Sequence, residues 1–139
     1  MRWKVAMTPL KTGRHPRRML VVEDEPAVRA ALKKYFTSDG FHVDCARELE
    51  EAEAMIATSR YALVIADLRL SYSYGVEGLG ILRFVRQHSR GTRVIILTAW
   101  ATPDVQQRAE LLGADAFLRK PVLLPEIAET VHRLTGGRE

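Results

Sequence analysis

The stretch Ala62–Ala66, ALVIA, places five apolar side chains in succession. An unbroken run of that length suits a strand covered on both faces, which is the condition of strands inside a parallel sheet. Arg93–Leu97 (RVIIL) and Met19–Val22 (MLVV) make the same demand. Parallel strands need long crossover connections, usually helical. The intervening sequence supplies them: Val28, Ala31, Leu32, Tyr35 and Phe36 recur at helix spacing, with Pro26 in the first turn and Gly40 at the expected stop.

The alternation continues along the chain. Phe41–Cys45 reads as a second strand, followed by a helix with Leu49, Ala52 and Ile56 on one face. Leu79, Leu82 and Val85 mark a third helix, and Val105, Ala109 and Leu112 a fourth, over Pro103–Leu112 and stopped by Gly113. Ala116–Leu118 is a short fifth strand, and Ile127, Val131 and Leu134 give a last helix ended by Gly136–Gly137. Five βα units in series predict an α/β fold, a doubly wound five-stranded parallel sheet with helices on both faces.

In such a sheet the ligand crevice lies at the carboxyl ends of the strands. Glu23 and Asp24 follow the first strand, Asp67 the third, Thr98 the fourth and Lys120 the fifth. Three adjacent acids, Glu23, Asp24 and Glu25, repel one another and need a reason to be together. Here they form one wall of a polar pocket whose other wall is Asp67. Clustered carboxylates are hard oxygen donors suited to Mg²⁺, a carboxylate is a competent nucleophile toward phosphorus, and a lysine neutralises phosphoryl oxygens. Asp67 and Lys120 taken alone would equally describe a buried ion pair.

The segments VVEDEP, ALVIADL, VIILTAW and GADAFLRKP, in this order and each at a strand end, resemble the receiver domain of bacterial response regulators. The resemblance covers residues 18–136, and it implies strand order 2-1-3-4-5. It implies a phospho-accepting switch of a two-component system or phosphorelay, with Asp67 as acceptor and a sensor histidine kinase or phosphotransfer protein as donor. Mg²⁺ would be held by Asp24, by Asp67, by Glu23 through water and by the backbone carbonyl of Arg69. Lys120 would pair with a phosphoryl oxygen and Thr98 would donate its hydroxyl to another. Phe117 matches the switching aromatic, although an aromatic on a short strand is also ordinary core. Helix 4, strand 5 and helix 5 would form the signalling face, and a homodimer through it is left open.

Two departures from the family pattern stand out. Asp67 is followed by LRLSYSYGVEG, without the usual proline, and Glu77–Gly78 arrives about three residues late, a small insertion beside the site. Tyr72 and Tyr74 in it either cover apolar surface or shape access to Asp67 or a partner contact. Arg69 and Trp100 occupy rim positions that, by the resemblance, govern attack of water on the phosphoryl group. Bulky side chains there lead us to expect slow autodephosphorylation.

Of 21 lysines and arginines, six lie in Met1–Arg18, which has no acid; the remainder carries 15 basic against 17 acidic residues. The high pI therefore belongs to a tail, read as a flexible leader over residues 1–17 ahead of a receiver domain over 18–137. Such an arm could also attract nucleic acid. One cysteine, Cys45, excludes an internal disulfide, and no apolar run approaches the ~20 residues that span a bilayer, so a cytoplasmic protein without a membrane partner is expected. Cys45 reads as a small core residue, and His15, His42, His88 and His132 as surface residues without ligand spacing. An aspartyl phosphohydrolase, the enzymatic rival, wants an acid two residues after the nucleophile, where this chain has Arg69. A degenerate receiver that binds partners without phosphorylation is the second rival. Only two residues follow Gly137, so no DNA-binding domain is read in this chain; a stand-alone receiver and the receiver of a longer regulator both fit.

Overall fold

The computed structural model describes residues 17–68 and 78–136. The described residues form five strands, β1 (Arg18–Val22), β2 (His42–Ala46), β3 (Leu63–Asp67), β4 (Arg93–Thr98) and β5 (Ala116–Arg119). Five helices alternate with them, α1 (Pro26–Ser38), α2 (Leu49–Thr58), α3 (Gly80–His88), α4 (Pro103–Leu111) and α5 (Leu124–Leu134). All strands are parallel, in the order β2-β1-β3-β4-β5, as expected. Strand boundaries differ from the sequence reading by a residue, because β3 and β4 keep their ladder bonds through Asp67 and Thr98.

The sheet divides the core by the two-residue period of its strands. Leu20, Val22, Val64, Ala66, Val94 and Ile96 face α2, α3 and α4, where they meet Ala52, Ile56, Ile81, Leu82, Val85 and Ala109. Met19, Val21, Leu63, Ile65, Ile95 and Leu97 face α1 and α5, against Leu32, Phe36, Ile127, Ala128 and Val131. This is why the central strands read as continuous apolar runs: neither face touches water. Cys45 is half-buried against the second of these clusters, and burial pushes its thiol pKa up. His42 and His88 are exposed, whereas His132 is half-buried and its Nε2 lies 2.5 Å from Asp39 Oδ2, which joins α5 to the end of α1. His15 lies outside the described residues.

At the edge of the sheet opposite the strand carboxyl ends, Arg86 of α3 donates to the Gly113 carbonyl (2.6 Å) and to Asp115 Oδ2 (2.8 Å). It also donates to the Thr92 carbonyl at 2.5 Å. Asp115 in turn accepts from the Val94 amide (2.8 Å) and from Arg93 (3.2 Å). Gly113 has φ +105°, and a Cβ there would meet Arg86 Nε at 2.9 Å. Gly40, at φ +102°, has nothing within 4 Å of the same point. Both substitutions to alanine incur the left-handed backbone cost of about 1–2 kcal/mol. Gly113→Ala must also displace a guanidinium held by bonds to Gly113, Asp115 and Thr92, so it is expected to destabilise more than Gly40→Ala. Urea unfolding of the two variants checks this, and equal losses would show that Arg86 yields freely.

Candidate functional site

Strand register assembles the site. Val22 pairs with Ala66, so the next residues on each strand, Glu23 and Asp67, emerge side by side. Asp67 pairs with Leu97, Leu97 with Leu118 and Thr98 with Arg119, which sets Thr98 one step and Lys120 two steps further up the same edge. The strand alternation then sorts the side chains by face. Glu23, Asp67 and Lys120 share the parity of the residues that face α1 and α5, and Thr98, Phe117 and Arg119 that of the residues facing α4. A pocket of about 300 Å³ results, lined by Glu23, Asp24, Glu25, Asp67, Leu68, Thr98, Ala99, Trp100 and Lys120.

Lys120 Nζ donates to both carboxylate oxygens of Asp67, at 3.0 and 2.9 Å. The Asp67 side chain is 5% exposed and that of Lys120 36%, so the ammonium caps a nearly buried carboxylate. Burial by itself would lower the Lys120 pKa, but Asp67, Glu23 and Glu25 outweigh it and hold the ammonium above its ordinary value. The Lys120 amide donates to the Thr98 carbonyl (2.9 Å), which fastens the ends of β4 and β5 together; the Lys120–Pro121 bond is cis. Thr98 is buried, and its Oγ1 accepts from the Trp100 amide at 3.1 Å. Trp100 is 38% exposed at the rim.

Glu23 is 3% exposed. Its Oε2 accepts from the Glu25 amide at 2.9 Å, whereas its Oε1 is buried with no hydrogen-bond partner among the described residues. Burial first, then the neighbouring Asp67 carboxyl and Asp24, push its pKa up to about 8. A buried acceptor left without a donor is costly, and it marks a place where a cation or its water is wanted. The donors on offer are hard carboxylate oxygens, which fit Mg²⁺. Among the described residues no group of three or more His, Cys, Asp or Glu side chains is arranged to hold a metal ion by itself. An ion that retains several of its waters needs no such group.

Glu23, Asp24, Asp67, Thr98, Lys120 and Trp100 thus lie together, as the sequence reading placed them. Phe117 is half-buried against the helices of the Thr98 face. Arg69, Tyr72, Tyr74 and Glu77 lie outside the described residues, as do residues 1–16 of the leader. Arg17, the last leader residue, is held: its carbonyl accepts from the His42 amide (2.8 Å) and its side chain donates to the Thr135 carbonyl. Two contacts escaped the sequence reading. Glu25, expected in the acidic wall, orients Glu23 through its amide, and the Arg119 guanidinium donates to the Ala101 carbonyl (2.8 Å) in the loop after β4. The parity of Arg119 with Phe117 was the available signal for the second.

A family model for the response regulator receiver domain matches residues 19–132. This chain belongs to that family. The receiver is 34% identical over 117 residues to the transcriptional regulatory protein PmrA of Pectobacterium parmentieri, covering 84% of this chain and 51% of PmrA. It therefore spans about half the length of that relative. The fold matches a CheY-like receiver domain protein of Methanospirillum hungatei with TM-score 0.80 at 24% identity, over 88% of this chain and 95% of the other. It also matches the response regulator TrrA of Thermotoga maritima, solved in complex with Mg²⁺ and BeF, with TM-score 0.66 at 32% identity, over 85% and 98% of the two chains. The receiver is a signalling domain of two-component response regulators. No helix among its described residues is long and apolar enough to cross a membrane.

Proposed function

We propose that this receiver is a Mg²⁺-dependent switch that takes a phosphoryl group onto Asp67 from a sensor histidine kinase or a phosphotransfer protein. The observation that carries the reading is the nearly buried Asp67 carboxylate, with Lys120 Nζ on both its oxygens and Glu23, Asp24 and Thr98 in the same pocket. One Asp67 oxygen attacks phosphorus while the bond from phosphorus to the donor's imidazole nitrogen breaks, and the donor leaves with the electron pair. The product is an acyl phosphate on Asp67. Lys120 moves from the carboxylate to a phosphoryl oxygen, and Thr98 donates its hydroxyl to another. Mg²⁺, held by Asp24, Asp67, the Arg69 carbonyl and, through water, Glu23, would neutralise charge on the transferred group. The domain proposed is 18–137, with residues 1–17 as a leader. Phe117 lies on the Thr98 face, and we assign it to relay the change at Thr98 to α4, β5 and α5, the surface for an output partner or a second copy.

The protein is incubated with Mg²⁺ and acetyl phosphate, and its intact mass is read beside that of Asp67→Asn. A single phosphoryl adduct that requires Mg²⁺ and is missing from the variant is expected. A protein that neither binds Mg²⁺ nor gains an adduct would instead be a receiver-shaped module that binds partners without phosphorylation. The rim gives a second expectation. Trp100 lines the pocket, so its indole restricts the approach of water to phosphorus, and Arg69 is assigned the same role. Trp100→Ala and Arg69→Ala are each expected to shorten the lifetime of the adduct several-fold, measured as loss of adduct after the donor is removed. Lifetimes equal to that of the unaltered protein would remove both residues from this role.

A further inference from the structure

The loop between β4 and α4 forms one wall of the pocket through Ala99 and Trp100. Hydrogen bonds tie it in place. The Trp100 amide donates to Thr98 Oγ1 (3.1 Å), Arg119 Nη2 donates to the Ala101 carbonyl (2.8 Å), and the Val105 amide donates to Thr102 Oγ1 (3.3 Å) at the start of α4. The first tie engages the hydroxyl that the proposed reaction needs. For Thr98 to reach a phosphoryl group on Asp67, that side chain must swing and the Trp100 amide must release it or follow it. Residues 99–101 then move, against whatever holds Ala101.

What holds Ala101 is Arg119. Thr98 and Arg119 are register partners, and the alternation of β5 directs Arg119 to the face of the sheet on which the loop turns. Ala101 is 5% exposed, so its carbonyl has little access to water and the guanidinium is its substitute. We propose that Arg119 is a positioning residue for phosphoryl acceptance: it latches the β4–α4 loop in the form described here and sets how readily Thr98 closes on the phosphoryl group. This inference rests on the reading of Asp67 as acceptor.

The sign of the effect separates a latch from a simple charge. A guanidinium next to the pocket would attract an anion, so removing it would weaken binding of a phosphoryl mimic. A latch opposes closure, so removing it strengthens that binding. The sequence holds two tryptophans, Trp3 and Trp100, so in a Trp3→Phe background Trp100 fluorescence reports on the loop alone. Beryllofluoride is titrated at saturating Mg²⁺ into this protein and into its Arg119→Ala, Arg119→Lys and Asp67→Asn forms. Arg119→Ala is expected to bind about 3- to 10-fold more tightly, the worth of one charge-assisted hydrogen bond reduced by solvent. Arg119→Lys, which can still donate to the carbonyl, is expected near the parent value, and Asp67→Asn to give no response. Affinity for Mg²⁺ alone should be the same in Arg119→Ala as in the parent. Unchanged or weaker beryllofluoride binding by Arg119→Ala overturns the latch alone, as does a parallel shift in Mg²⁺ affinity, which would mark general loosening. No response in the parent would overturn the acceptor reading and the latch with it.

Discussion

Lys120→Ala is expected to slow phosphoryl transfer from acetyl phosphate to Asp67 by about 100-fold or more while leaving Mg²⁺ binding intact. The ammonium lies 3.0 and 2.9 Å from the two Asp67 oxygens, and it is the one lysine or arginine among the described residues that line the pocket. Three acids line the same pocket besides Asp67, so an incoming phosphodonor without Lys120 meets a strongly negative field. The same field favours a divalent cation, so Mg²⁺ affinity should be kept or raised. Initial rates of adduct formation, followed by intact mass at saturating Mg²⁺, decide the matter. A loss of less than tenfold would mean that the metal alone neutralises the transferred group and that the Lys120–Asp67 pair is mainly structural.

Glu23→Gln is expected to raise the thermal stability of the metal-free protein at pH 8 and to lower it relative to the parent once Mg²⁺ is added. Burial, with Asp67 and Asp24 beside it, lifts the Glu23 pKa from an ordinary 4.5 to about 8. Between those values the unfolded chain has already lost this proton and the folded chain keeps it. The folded state therefore loses ground as pH rises through the window, and the loss is complete above pH 8. Glutamine does not ionise, so the variant escapes that loss. The expected gain in Tm is on the order of 5 °C at pH 8 and negligible at pH 4. Mg²⁺ should favour the ionised carboxylate and expel its proton, so the affinity of the parent for Mg²⁺ should climb with pH up to about 8. Differential scanning calorimetry at the two pH values, with and without Mg²⁺, tests both halves. A variant that melts no higher than the parent at pH 8 would show that Glu23 is not strained in the metal-free fold.

The fold was legible because three of its strands, β1, β3 and β4, lie in the interior of the sheet. Leu63, Val64, Ile65 and Ala66 are fully buried on alternating faces, and such residues announce themselves as a continuous apolar run. The pocket was legible for a related reason: Glu23, Asp67, Thr98 and Lys120 sit where those runs stop, and the topology brings strand ends to one edge. Contacts that depend on local backbone geometry were not legible. Nothing in the spacing of Glu23 and Glu25 says that the amide of one will hold the carboxylate of the other. The bond from Arg119 to Ala101 joins a strand to a loop 18 residues earlier, and an arginine on a short edge strand ordinarily faces solvent. His132 looked like a surface residue because the only sign of its partner, Asp39, is a helix cap 93 residues away. The family resemblance supplied roles; the register of β1, β3, β4 and β5 supplied proximity.

The Arg86 network has a mechanical consequence for α4. That helix ends in the turn containing Gly113, which Arg86, Asp115 and the Val94 amide fix to the far edge of the sheet. At its other end the helix is capped by Thr102, packs Val105 on the core, and follows a loop to which Arg119 is bonded at the Ala101 carbonyl. A rod fastened firmly at one end and lightly at the other swings; it does not slide. A displacement at the pocket is then delivered as a tilt of α4 about the Gly113 turn, largest beside Pro103 and vanishing near Leu111.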